Sequence, residues 1–150
     1  MESDKHDKYD CIRLENQICF PLYACAKEVV RQYGKPLEKL GLTYTQYVVM
    51  MVLWEFGSMT EGELGRKVYL DSGTLAPLLK RLEKRGLIER IRPENNERRL
   101  LLKLTPDGEA LKQEALAVPC AMRDCIQMSA DELLLLRGLL NKALSSMEMR

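Results

Sequence analysis

No apolar run in this sequence approaches the roughly 20 residues that a membrane-spanning helix needs. The opening residues, Met1 to Lys8, are polar and of mixed charge, without the apolar centre of a signal peptide. A cytoplasmic chain without membrane contact is the expectation. Histidine is nearly missing, with one in the chain, and the five cysteines, Cys11, Cys19, Cys25, Cys120 and Cys125, include no Cys-x-x-Cys pair. A structural zinc site draws on such close pairs, and a disulfide oxidoreductase uses that motif within a strand-rich scaffold. No metal, cofactor or enzymatic turnover is therefore expected. An odd number of cysteines in a chain large enough to fold without staples also argues against a disulfide framework. Cysteines kept reduced are core filler or reactive thiols.

Net charge is scarce too, at +1, which alone suggests no nucleic-acid partner. What is present is 150 residues, 46% hydrophobic and 30% charged, enough for one folded domain with a substantial core. The charge is unevenly spread. Between Thr74 and Lys103 stand nine cations, Lys80, Arg81, Lys84, Arg85, Arg90, Arg92, Arg98, Arg99 and Lys103, against Glu83, Glu89, Glu94 and Glu97. That local excess of five leaves the rest of the chain at −4. Charged helix faces are usually just solvated, but here the excess continues from a helix into a hairpin, as double-stranded DNA would require.

Helix starts are marked by capping boxes, Thr43 with Gln46, Thr60 with Glu63 and Ser129 with Glu132, by Thr105-Pro106, and by Asp71 or Ser72. Filled in from these caps, the pattern predicts helices over about Ile12 to Tyr33, Pro36 to Leu40, Tyr44 to Phe56, Glu61 to Tyr69, Asp71 to Gly86, Pro106 to Cys125 and Asp131 to Met147. Leu87 to Ile91 pairs with Leu100 to Leu104 across a Pro93-Glu94-Asn95-Asn96 turn. Pro77 inside the fifth helix means that the helix begins nearer Gly73 or bends there. The fold class is mainly α with a small β-hairpin wing.

A recognition helix followed by a basic hairpin reads as a winged helix-turn-helix over about residues 43–104. Helices over about 10–33 and 106–149 lie outside it, with apolar residues at helical spacing that call for a partner surface. A homodimer is the expectation, because two recognition helices about 34 Å apart read the half-sites of an inverted-repeat operator.

Four groups of residues carry a family resemblance. They are Leu14-Glu15-Asn16-Gln17-Ile18-Cys19-Phe20, then Gly41-Leu42-Thr43-Tyr44-Thr45-Gln46-Tyr47, then Tyr69 through Asp71-Ser72-Gly73-Thr74-Leu75 to Lys80-Arg81, and finally Asn96-Glu97-Arg98-Arg99 with Leu104-Thr105-Pro106-Asp107-Gly108. From Leu14 through Pro119 the sequence resembles the MarR family of winged-helix regulators, and within it the organic-hydroperoxide-sensing repressors of the OhrR type. The resemblance implies that Cys19 is the redox-sensing thiol and that Tyr33 and Tyr44 donate hydrogen bonds to its sulfur from one pocket wall. The chemistry is consistent: thiolate attacks peroxide, so donors must stabilise a negative sulfur while apolar side chains such as Phe20, Leu22, Val48, Met50 and Met51 admit an alkyl tail. Cys11 and Cys25 are bystanders on this reading.

Members of the family differ after sulfenic acid forms, one type reacting with a small external thiol and another with a C-terminal cysteine of the partner. Cys120 and Cys125 are both resolving candidates. The resemblance places Ser72, Gly73, Thr74, Lys80 and Arg81 at the major groove and Arg98 in the minor groove, with Arg99 adding a phosphate contact. Two departures stand out. Asn96 occupies the position where the family carries an Asp that steadies the wing arginine, and Pro21 sits two residues after Cys19, where it would free a carbonyl near Gln17. A regulator answering to other thiol-reactive oxidants or to small phenolic ligands is the alternative.

Overall fold

The computed structural model describes residues 8–94 and 100–148. After two short 3-10 turns, Asp10–Ile12 and Leu14–Asn16, come α1 (Cys19–Gln32), α2 (Gly34–Glu38), α3 (Tyr44–Phe56), α4 (Glu61–Val68), α5 (Ser72–Lys84), β1 (Ile88–Ile91), β2 (Leu101–Leu104), α6 (Pro106–Ala115), α7 (Ala117–Met122) and α8 (Ala130–Glu148).

The caps read from the sequence form. The Gln46 N–H donates to Thr43 Oγ1 at 3.3 Å while Gln46 Oε1 accepts from the Thr43 N–H at 2.9 Å. Thr60 with Glu63 and Ser129 with Glu132 repeat the same reciprocal pair. Each satisfies two backbone donors that a helix start otherwise leaves without partners.

Two helices differ from expectation, both because of proline. The first helix starts at Cys19, not Ile12, and this makes Pro21 its third residue. An N–H missing in the first turn removes no helical bond, so Pro21 frees no helical carbonyl at Gln17. Residues upstream fold separately: Asn16 Nδ2 donates to the Asp10 carbonyl at 2.8 Å and Gln17 Nε2 to the Cys11 carbonyl at 2.7 Å. The helix expected from Pro106 to Cys125 splits at Leu116 into α6 and α7. Pro119 cannot donate to the Ala115 carbonyl, and its ring collides with that carbonyl in a continuous helix.

The core forms around α3, whose Val49, Met50 and Leu53 are at most 1% exposed. Leu64 of α4, Leu75, Leu79 and Leu82 of α5, Ile88 of β1 and Leu102 of β2 close over it. The strands pair antiparallel from Ile88 opposite Leu104 to Ile91 opposite Leu101, and Met59 adds a rung to Leu102. The loop before α6 is held closely: the Thr105 hydroxyl donates to the Gly86 carbonyl, and a Cβ on Gly108 would lie 2.0 Å from the Leu87 carbonyl oxygen. Only glycine fits there.

Outside this body the helices are bare. No residue of α1 is buried, nor is any described residue of α8, whose Leu134, Leu135 and Leu139 are each more than half exposed.

Candidate thiol switch and nucleic-acid interface

The helix-turn-helix is built on a close turn. Tyr69 ends α4 at φ 56°, in the left-handed region, and the Leu70 N–H donates to the Gly65 carbonyl at 3.0 Å. A Cβ at Gly65 would come within 2.8 Å of the Leu70 carbonyl oxygen. This turn delivers Asp71 as the cap of α5, where its carboxylate accepts from the Thr74 N–H and hydroxyl, both at 2.9 Å. Those bonds hold the Asp71 carboxyl below its ordinary value.

Helix α5 buries Leu75, Leu78, Leu79 and Leu82 and exposes Ser72, Gly73, Thr74, Pro77, Lys80, Arg81 and Lys84. The helix starts at Ser72 and continues through Pro77. The carbonyl that Pro77 leaves without its helical donor belongs to the exposed Gly73. Five sequence-expected DNA residues, Ser72, Gly73, Thr74, Lys80 and Arg81, therefore share one solvent-facing helix. Asn96, Arg98 and Arg99 lie outside the described residues.

Charge counting from the sequence missed that Arg85 and Arg90 turn onto the protein itself. Arg90 pairs with Glu83, tying the wing to α5. Arg85 donates to the carbonyls of Leu40, at 3.0 Å, and Gly41.

Cys19 is exposed at the first position of α1, beside a surface recess lined by Leu14, Glu15, Gln17, Phe20 and Pro21. Tyr33 caps the far end of α1 and Tyr44 opens α3, their ring centroids 4.9 Å apart. Burial raises the Tyr33 phenol above its ordinary value of 10.0, with smaller contributions from Tyr44, Tyr47 and Cys125. Cys125, half-buried against the core, is thus within electrostatic reach of Tyr33, whereas Cys120 is exposed on α7.

Cys19 and Tyr33 are not neighbours within one copy, because 14 residues of helix at about 1.5 Å each separate them by about 21 Å along α1. Of the apolar residues expected around the sulfur, Phe20, Leu22 and Met51 are exposed, while Met50 is fully buried in the core and cannot line an open pocket. Reading the residues one motif at a time also missed Tyr47 and Trp54. Tyr47 packs with ring centroids 6.1 Å from Tyr33, tilted, and 6.3 Å from Trp54, edge to face, and Trp54 Nε1 donates to the Gly108 carbonyl at 2.9 Å. Their spacing on one face of α3 was the available signal. Among the described residues no three His, Cys, Asp or Glu side chains gather as a metal site would need. No helix among them is long and apolar enough to cross a membrane.

The MarR family profile matches residues 42–100. The organic hydroperoxide resistance transcriptional regulator of Bacillus subtilis (strain 168) is 42% identical over 144 residues, covering 96% of this chain and 98% of its own length. Reduced AbfR bound to DNA, a protein of Staphylococcus epidermidis, superposes with a TM-score of 0.72 at 36% identity over 93% of this chain and 98% of its own. Disulfide-formed AbfR superposes with a TM-score of 0.62 at 34% identity over 95% and 97%. With its capped recognition helix, its two-stranded wing and relatives of this identity along nearly its whole length, the chain belongs to the MarR family of winged-helix transcriptional regulators.

Proposed function

We propose that two copies of this chain form a cytoplasmic repressor that holds an inverted-repeat operator while Cys19 is reduced and releases it when an organic hydroperoxide oxidises that thiol. Residues 1–150 act as one unit, with the winged module over about 43–104 and the flanking helices pairing with the second copy. Ser72, Gly73, Thr74, Lys80 and Arg81 meet the major groove, Arg98 enters the minor groove and Arg99 meets a phosphate.

The observation that carries this reading is the position of Cys19: exposed at one end of a bare helix whose other end holds the Tyr33–Tyr44 pair. Two antiparallel copies of α1 bring each sulfur to the phenols of the other copy, which a single copy cannot do. The exposed leucines of α8 support the pairing. Full burial of one leucine is worth roughly 1.5–3 kcal/mol, so several left in water are a strong drive toward a second copy. The B. subtilis relative supports organic hydroperoxide as the oxidant, and AbfR supports DNA binding in the reduced state and a disulfide as one product.

In the first step the Cys19 thiolate attacks one peroxide oxygen. An S–O bond forms, the O–O bond breaks, and the alkoxide leaves with a proton as the alcohol. A second thiol then displaces the sulfenic oxygen as water, giving a disulfide. Cys125 is the better resolving candidate of the two, because it is half-buried against the core and within electrostatic reach of Tyr33, whereas Cys120 is exposed. Each site reacts once, so the chain is a sensor and not a peroxidase. Changing an operator from 99% bound to 99% released requires about 5.5 kcal/mol between the two states, within reach of a covalent link between helices.

The test follows thiols and DNA together. Cumene hydroperoxide added in steps to the reduced dimer should consume Cys19, read by mass spectrometry, in proportion to operator release, with no steady-state peroxide consumption. Release without Cys19 modification contradicts the reading.

A further inference from the structure

Between Tyr33 and Tyr44 runs a turn pinned from outside by the recognition helix. Leu40 and Leu42 of this turn are buried, each 6% exposed, and Gly41 between them has φ +61°, which only glycine adopts without strain. The Leu40 and Gly41 carbonyls both accept from the guanidinium of Arg85, the residue that closes α5. A Cβ on Gly41 would sit 3.0 Å from Arg85 Nη2, so the guanidinium crowds the space that a side chain would fill. A planar fork with two parallel donors suits adjacent carbonyls, and a lysine ammonium has no such geometry.

At its other end Arg85 is rigidly joined to the DNA-facing helix. Its N–H donates to the Arg81 carbonyl at 3.1 Å, and the Gly86 N–H donates to Glu83 at 2.9 Å. Arg81 is therefore one helical turn from a side chain fastened to the segment that carries both phenols.

We propose that Arg85 is a positioning residue that fastens the recognition helix to the turn between Tyr33 and Tyr44, and that it carries a displacement of those tyrosines to the C-terminal half of α5. This rests on the sensing role given above to Cys19, Tyr33 and Tyr44. Arg85 belongs to the basic patch by charge, yet two of its nitrogens serve protein carbonyls and not phosphates. The link is short and bonded at both ends, and a shift of the phenol-bearing turn drags α5 or breaks the fork. Either event alters how Arg81 and its neighbours meet the groove.

The experiment uses the full-length reduced dimer, Arg85→Lys and Arg85→Gln, with a fluorescent duplex selected by the reduced wild type from a random pool. Affinity is measured by anisotropy across a salt series, before and after cumene hydroperoxide, with circular dichroism melts confirming that each variant folds. Both variants should bind about 10-fold more weakly than wild type, as loss of a charge-assisted pair of hydrogen bonds implies. Their dependence of log K on log salt should keep the wild-type slope. Their release factor, the ratio of affinity before and after peroxide, should fall about 10-fold or more, with the lysine unable to restore it.

A slope lower by about 0.9 in Arg85→Gln and restored in Arg85→Lys would make Arg85 a phosphate contact and overturn the proposal. An unchanged release factor also overturns it, whether affinity falls, as for a merely structural residue, or stays. If the glutamine variant fails to fold, the charge-conserving lysine variant decides by its release factor. Failure of the wild type to release DNA at all refutes the sensing role and the transmission with it. In that event the affinity and salt slope of the reduced variants still judge the fastening of α5 on their own.

Discussion

Tyr33 and Tyr44 pack with ring centroids 4.9 Å apart and planes tilted by 56°, one closing the exposed α1 and the other opening the buried α3. The pair therefore joins a helix with no buried residue to the core. Thr43 caps α3 immediately before Tyr44, which fixes where that ring starts, while Tyr47, 4% exposed, backs Tyr33 from inside. A group arriving against these phenols from a second copy meets a rigid wall.

Removing the hydroxyls while keeping the rings isolates their chemistry. Tyr33→Phe and Tyr44→Phe should fold and bind operator within about 2-fold of wild type in the reduced state, as substitutions without loss of packing do. Reaction of Cys19 with cumene hydroperoxide should slow by about 10- to 100-fold for each, the kinetic equivalent of one hydrogen bond to a charged group. Stopped-flow loss of free thiol measures this; wild-type rates in both variants would remove the phenols from the site.

Much of this architecture was legible in the sequence, and what was not has local causes. Side-chain caps are short-range chemistry, so Thr43, Thr60, Thr105 and Ser129 located four helix starts correctly. Pro21 and Pro119 were misplaced within continuous helices because apolar spacing does not record where a helix breaks. The basic excess pointed to α5 and the wing, yet charge alone could not tell Arg85 and Arg90, which bond within the protein, from the outward Lys80 and Arg81. The carbonyls that Arg85 binds lie more than 40 residues earlier, and no pattern of side chains announces a backbone acceptor. The separation of Cys19 from Tyr33 was already implied by the single helix predicted over about Ile12 to Tyr33, and the structure keeps one helix between them.

Stability should fall at both extremes of pH, for opposite reasons. Tyr33 and Tyr47 are raised above 10.0, mainly by burial, so their contribution is complete below pH 10 and is lost as pH rises through the folded-state values. Asp71 and Glu132 are lowered from 3.8 and 4.5 by hydrogen bonds from Thr74 and Ser129. Their contribution is present above those values and is lost as pH falls through the lowered ones. Urea midpoints across pH should show a decline above 10 that Tyr33→Phe with Tyr47→Phe reduces. An unchanged alkaline decline in that double variant would place its origin elsewhere.

The two C-terminal thiols should behave differently. After oxidation, non-reducing electrophoresis should show a linked dimer in wild type and Cys120→Ala and none in Cys125→Ala, since Cys125 packs half-buried against the core that carries Tyr33 and Cys120 is exposed. Crosslinking lost only with Cys120 reverses the assignment, and crosslinking kept when both are replaced removes both from the role.

The most direct measurement compares wild type and Cys19→Ser for operator affinity before and after one equivalent of cumene hydroperoxide per site. Serine preserves the shape of the first turn of α1 and cannot form a sulfenic acid. Reduced wild type and the variant should bind alike, and peroxide should weaken wild type by up to about 10⁴-fold, the factor separating 99% bound from 99% released, with no change in the variant. Release of Cys19→Ser by the same dose, or wild type that stays bound, would contradict the account.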